Sequence, residues 1–159
     1  MGRDQARGSR AARGSFGGAL TLTFIDAGVL IAAYVGDVSQ TIPARWILDD
    51  SSRTFVASSF LRLEVLPKAT YFRRKYEAEF YRDFFDRAAV WVEPTQSLID
   101  SALLQAETYG LAGMDALHVA AALAANASEL FTTEKPSKPI YRVQGLVVRS
   151  LESLKPPFS

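Results

Sequence analysis

The stretch LTLTFIDAGVLIAAYVGD, residues 20–37, changes its period halfway along. Its first part, LTLTFID, is a short apolar strand closed by an acid. Its second part, AGVLIAAYVGD, has helical spacing with Gly36 as a stop. A strand feeding a helix is the unit from which open α/β sheets are built, and ligands in such sheets gather at the carboxyl ends of the strands. Asp26 stands at that junction. The same position also suits an aspartate that caps the helix following it.

Working outward, the alternation continues. TIPARWILDDSS reads as a short helix with Pro43 near its first turn. TFVAS is a second strand, rich in β-branched and aromatic residues. SFLRLEVLPKATYFRR is helical in pattern, and Pro67 predicts a kink or break because it removes one backbone bond and crowds the carbonyl of Leu63. KYEAEFYRDFFDRA is amphipathic, with Tyr76, Phe80 and Phe84 four residues apart. AVWVEP gives a third strand. SLIDSALLQAETYG gives a helix in which Ser97 and Asp100 resemble a capping box and Gly110 is the stop. AGMDALHVAAALAAN is a helix of small residues ended by Asn126, and SELFTT and GLVVRSL are a fourth and a fifth strand. Strands alternating with helices imply an α/β layer fold with a largely parallel sheet.

The chain has 159 residues, 48% of them hydrophobic, which suits one domain around one substantial core; its expected span is 20–155. Residues 1–19 are basic and rich in Gly and Ser, with no hydrophobic period, and are expected to be a disordered lead-in. That lead-in lacks the apolar core of a secretory signal. No apolar run approaches the roughly 18–20 residues needed to span a bilayer, so no membrane partner is expected. The absence of cysteine excludes a disulfide framework, a thiolate metal site and a cysteine nucleophile, and it fits a reducing, cytoplasmic setting. A net charge of +1 decides nothing about partners.

Three further acids occupy notable places. Glu64 lies among Leu61, Leu63, Val65 and Leu66, either aimed into a cleft or paired with Arg62 or Lys68. Asp115 falls in the first turn of an alanine-rich helix, where the helix dipole favours its charge and the small residues allow close packing against the sheet. Glu134 follows the fourth strand, in FTTEKPSKPI, as either a turn acid or a site acid. His118, three residues beyond Asp115, has no second histidine or cysteine with which to build a zinc site and reads as a packed or hydrogen-bonded structural histidine. If the four acids converge, each pair of charges about 4 Å apart repels by around 4 kcal/mol at an effective dielectric of 20. Such a cluster persists by protonation or around a cation. Oxygen ligands alone select a hard cation, Mg2+ or Mn2+, which supports hydrolysis of a phosphodiester.

Four stretches, FIDAGVLIAAY, VASSFLRLEVLPKA, YGLAGMDALHVAAAL and LFTTEKP, spread over residues 24–136, together resemble the PIN domain, the fold of metal-dependent ribonucleases that includes VapC-like toxins. The resemblance implies a three-layer α/β/α sandwich with a central, mainly parallel sheet. It also implies an endoribonuclease whose cofactor is Mg2+ or Mn2+ and whose products carry a 5′-phosphate and a 3′-hydroxyl. By position, Asp26, Glu64 and Asp115 match the family's three principal metal-site carboxylates, and Glu134 matches a fourth acid that is usually aspartate. RNA as substrate, a homodimer and an inhibiting antitoxin protein are implied as well. Gly28 departs from the pattern, standing where many members carry Asn or Ser.

Beside such a site, Thr132 and Thr133 are candidate contacts to a ligand water or phosphate, and Lys135 and Lys138 candidate contacts to the RNA backbone. Arg62, Lys68, Arg73, Arg74 and Lys75 form a second candidate basic rim. The aromatic helix around Phe80, Phe84 and Phe85 offers either core packing or a groove for a dimer or antitoxin. Two other readings stay open: a PIN fold that binds RNA or a protein without cutting, and a phosphohydrolase with an aspartyl intermediate. Gly28 weakens the second, since that chemistry wants an acid two residues after the first.

Overall fold

A computed structural model describes residues 19–154; the expected lead-in lies, apart from its last residue, outside the described residues. Five strands form one sheet in the order β3-β2-β1-β4-β5. They are β1 (Thr21–Ile25), β2 (Arg53–Ser58), β3 (Val90–Val92), β4 (Glu129–Thr132) and β5 (Val147–Ser150). Every neighbouring pair is parallel, so the expected "mainly parallel" sheet is wholly so among the described residues.

Among the described residues, six α-helices cover its faces: α1 (Ala27–Tyr34), α2 (Val38–Asp49), α3 (Ser59–Tyr71), α4 (Lys75–Arg87), α5 (Gln96–Tyr109) and α6 (Gly113–Ala124). Alternate residues of each central strand point to opposite sides. Ile25, Ala57 and Phe131 pack with α1 to α4, including Leu30, Ile47, Leu61, Tyr81 and Phe84. Phe24, Val56 and Leu130 pack with α5 and α6, including Leu98, Ala116, Val119 and Ala120. The result is a three-layer α/β/α sandwich with a separate core on each side of the sheet, as parallel sheets require.

Local details depart from expectation in three places. Helix α2 starts at Val38 because Asp37 caps it, accepting from Ser39 N–H at 2.9 Å, so Pro43 falls inside the helix and not in its first turn. Helix α3 runs through Pro67 without a break, held by the burial of Leu61, Val65 and Ala69 on one face. Helix α5 is capped by Thr95, whose hydroxyl accepts from Leu98 N–H at 3.1 Å, and not by Ser97. Gly110 does close α5 in the left-handed region at φ 72°, and Asn126 adopts φ 55° just after α6. Of the aromatic residues on α4, Tyr81, Phe84 and Phe85 are buried in the core, whereas Tyr76 is exposed.

At the amino end of the sheet, Glu129 is buried and fully partnered. Its carboxylate accepts from Thr23 Oγ1 at 2.9 Å, Arg53 Nε at 2.7 Å and an Arg149 guanidinium nitrogen at 2.9 Å. Burial raises the carboxyl's pKa, but the bonds from Arg53, Thr23 and Arg149 outweigh it and hold the group below its ordinary range. Both guanidiniums also lie over the Phe131 ring, at 5.3 and 5.1 Å. Removing the carboxylate would leave partly buried Arg53 with Asp50 as its remaining acid partner, and Thr23 and Arg149 without theirs. Glu129→Ala is expected to lower stability by about 3 kcal/mol in urea denaturation. Arg149→Ala, at a more exposed partner, is expected to cost about 1 kcal/mol.

Candidate active site

Asp26 follows β1 and caps α1, as the capping reading expects. Its backbone N–H donates to Phe131 O at 3.1 Å, continuing the β1–β4 ladder by one bond. Its carboxylate accepts from Val29 N–H at 3.0 Å as the cap of α1. The side chain is buried, with the Thr132 hydroxyl as a further hydrogen-bond partner. Burial is the main reason its pKa is raised from 3.8 to about 6, with the Asp115 charge a lesser contribution in the same direction.

Asp115 sits in the first turn of α6, half buried. Its pKa is raised, first by burial and then by the charges of Glu134 and Glu64, while His118 and Lys138 pull it the other way. Glu134 reaches this neighbourhood because the chain turns sharply after β4. The Thr132 hydroxyl accepts from Glu134 N–H at 3.0 Å, and the Tyr141 hydroxyl donates to Glu134 O at 2.7 Å. A turn pinned at both ends of one residue holds Glu134 beside Asp115. Glu64, on α3, pairs with neither Arg62 nor Lys68. Its Oε2 lies 2.6 Å from His118 Nε2.

That contact gives His118 more than a packing role. The ring is 2% exposed, tilted against Phe24 with centroids 5.4 Å apart, and spans from α6 to the carboxylate on α3. It therefore ties the two helical layers together at the carboxyl edge of the sheet. With Nε2–H donating to Glu64, Nδ1 is the remaining ring nitrogen, and it has no hydrogen-bond partner among the described residues. Sequence reasoning placed His118 correctly as a structural histidine but not as the partner of Glu64. The missing signal is a pairing across 54 residues that no local spacing encodes.

Asp115 is thus the acid that couples electrostatically to the other three, which come from three other parts of the chain. Among the described residues, Asp26, Asp115 and Glu134 make no ion pair with lysine or arginine, in contrast to Glu129 at the other end of the sheet. No group of three or more among the described His, Asp and Glu residues is drawn together tightly enough to hold a metal ion. As a donor set, however, the all-oxygen chemistry suits a hard divalent cation, and the raised pKa values of Asp26 and Asp115 are what a cation between them would relieve. Thr133 lies against Gly28 beside this cluster, and Lys135 and Lys138 are exposed on the turn that follows. The candidate basic rim is exposed too, with the Arg62 guanidinium 5.0 Å over the Trp91 ring and Arg74 near Glu77 at 3.6 Å. A cavity of about 430 Å3 opens elsewhere, among Arg45, Phe55, Phe80, Phe84 and Arg87, and shares no residue with the acids.

The model of the PIN domain matches residues 23–138 of the chain. No curated protein matches it. Among solved structures, a toxin–antitoxin complex from Klebsiella pneumoniae is 18% identical with a TM-score of 0.60, covering 79% of this chain and 95% of that one. VapBC2 from Rickettsia felis, bound to a DNA fragment from its promoter, is 15% identical with a TM-score of 0.60, covering 82% and 98%. The sarcin–ricin loop cleaving toxin VapC20 from Mycobacterium tuberculosis is 13% identical with a TM-score of 0.56, covering 74% and 92%. These likenesses are of fold.

The raised pKa of Asp26 makes a prediction about the metal-free protein. A carboxyl whose folded pKa lies above its unfolded value binds its proton more tightly when folded. Stability through this group therefore falls as pH rises from about 4 to beyond 6. A rise from 3.8 to about 6 corresponds to about 3 kcal/mol. Asp26→Asn keeps an oxygen for Val29 N–H without the charge. In chelator-treated protein at pH 8 it is expected to be more stable than wild type by about 1–3 kcal/mol, with the gain vanishing near pH 4. Urea denaturation at the two pH values measures both.

Proposed function

The chain belongs to the PIN domain family, and on that premise we propose that it is an endoribonuclease dependent on Mg2+ or Mn2+, acting in the cytoplasm and held in check by an antitoxin protein. The observation that carries the proposal is the gathering of Asp26, Glu64, Asp115 and Glu134 at the carboxyl edge of the sheet. Burial and mutual charge raise two of them, and no arginine or lysine pairs with Asp26, Asp115 or Glu134 among the described residues. Acids left in this state suit a site that takes its positive charge from outside the protein. Residues 20–155 act as one domain in this reading, and a homodimer is its expected form.

Asp26, Glu64 and Asp115 would hold the cation, with Glu134 joining directly or through water. When bound, it would supply an activated water and screen the phosphate oxygens. The rest falls to the chain itself. The cap bond from Val29 N–H and the Thr132 hydroxyl fix the Asp26 carboxylate in one orientation. His118 fixes that of Glu64 through its 2.6 Å contact. The turn bonds to Thr132 and Tyr141 set the backbone of Glu134, bringing Lys135 and Lys138 to the rim, where they offset the repulsion between the acids and an incoming phosphate backbone.

A second reading, a PIN fold that binds RNA or a protein without cutting, draws on the looser spacing of the acids, which form no tight ligating group among the described residues. Titrating Mn2+ by calorimetry separates the two. Wild type is expected to bind saturably, and Asp26→Asn and Asp115→Asn to lose binding with circular dichroism unchanged. On single-stranded RNA both variants are expected to fall at least about 100-fold in cleavage, with wild-type products carrying 5′-phosphates. A wild type that binds no Mn2+ through millimolar concentrations, alone or with RNA, would favour the binding module.

The contact between His118 and Glu64 has its own test. His118→Leu is expected to weaken Mn2+ affinity about tenfold, and His118→Gln, which keeps an N–H donor, to recover part of it. Equal affinities in the two variants would leave the histidine a packing role only.

A further inference from the structure

Gly28 lies in the first turn of α1, two residues after Asp26, and its backbone is not in the left-handed region that requires glycine. A glycine inside a helix is less stable than an alanine at the same place. Its presence is explained by what stands over it. A Cβ added to Gly28 would lie 2.2 Å from Thr133 Oγ1 and 3.3 Å from both Thr133 Cβ and Asp26 Oδ1. The hydroxyl of Thr133 thus occupies the space where a side chain at position 28 would begin, at the edge of the Asp26 carboxylate.

The two neighbouring threonines are used differently. Thr132 is buried, and its hydroxyl is spent inside the protein, accepting from Glu134 N–H and bonding Asp26. Thr133 is only partly buried, and its hydroxyl takes part in none of the side-chain hydrogen bonds among the described residues. It is not simply a strand-end threonine in solvent either, because its approach to Gly28 is too close for any other residue there. Threonine is stiff at χ1, and turning its hydroxyl away would bring its methyl group or hydrogen toward Gly28 instead. The absence of a side chain at position 28 is therefore what leaves room for the oxygen where it stands.

We propose that Gly28 and Thr133 are a matched pair in which the missing side chain of Gly28 seats the Thr133 hydroxyl at the rim of the carboxylates, where it donates a hydrogen bond to a phosphate oxygen of the substrate backbone. The contact rests on the ribonuclease reading; the pairing does not. Glycine here leaves room for a donor delivered from the β4 turn, so a polar group stands beside Asp26 although position 28 has none. Gly28 acts as a positioning residue, through Thr133.

A double-mutant cycle on the full chain tests both halves. Thermal unfolding of the metal-free protein reads the pairing: Gly28→Ser is expected to lower the midpoint by about 5 °C or more in wild type and by far less in the Thr133→Ala background. Equal losses in the two backgrounds would overturn the pairing whether or not the protein cuts RNA. Binding of a short fluorescent single-stranded RNA with Ca2+ present, and cleavage with Mn2+, read the contact. Thr133→Val is expected to weaken both about tenfold, acting mainly on KM, and Gly28→Ser/Thr133→Ala to return to within about threefold of wild type, its new serine hydroxyl replacing the lost one. Wild-type behaviour in Thr133→Val would overturn the contact and leave the ribonuclease reading standing. A wild type that neither holds nor cuts RNA would overturn both the contact and that reading, while the stability cycle would still decide the pairing.

Discussion

The placement of one carboxylate governs the acidic edge of this molecule. Asp26 must end a central strand, start a helix and stay buried at once. Its N–H continues the ladder to β4, and its side chain closes the first turn of α1. Because β1 is flanked by β2 and β4 in parallel register, the chain leaving each neighbour also emerges at this edge. β2 delivers α3 with Glu64, and β4 delivers the turn with Glu134. Geometry that a parallel sheet imposes for other reasons therefore brings like charges together.

The two ends of the sheet handle buried acid in opposite ways. At the amino end, Glu129 has two arginines and a threonine, and its pKa is lowered. At the carboxyl end, burial first and neighbouring acids second raise the pKa values of Asp26 and Asp115, with His118 pulling the other way. The same chain thus spends its arginines where they stabilise the fold and leaves its strand ends electrostatically unsatisfied. Stability given up at a site in this way is the usual mark of a place kept for a ligand.

Much of this was legible in the sequence, and the boundary of legibility has a physical cause. Strands β1 to β5 were readable because each is a short apolar run between turn residues, and Asp26 because a period change surrounds it. The α/β/α layering followed from strand–helix alternation and from the family resemblance. Local competition was harder to see. Pro43 and Pro67 promised a helix start and a break, yet tertiary burial of Ala44, Ile47, Val65 and Ala69 carries both helices through. Thr95 took the capping role three residues before the first buried residue of its helix, Leu98, and Asp37 took its own by accepting from Ser39 N–H, choices that several nearby polar residues could have made.

What no linear pattern carries is complementarity between distant positions. Glu64 and His118 are 54 residues apart and meet only because α3 and α6, packed on opposite faces of the sheet, converge at its carboxyl edge. Alanines at 116, 120, 121 and 122 are what bring α6 close enough to Phe24 and Val56 for that convergence. Gly28 and Thr133 meet for a related reason, since the turn after β4 folds back over the first turn of α1. In each case a residue that looks like a weakness by itself, a lone histidine or a glycine in a helix, acquires a reason only from its partner. The acids of the site announce themselves by charge and position; the residues that aim them are visible only once the layers have closed.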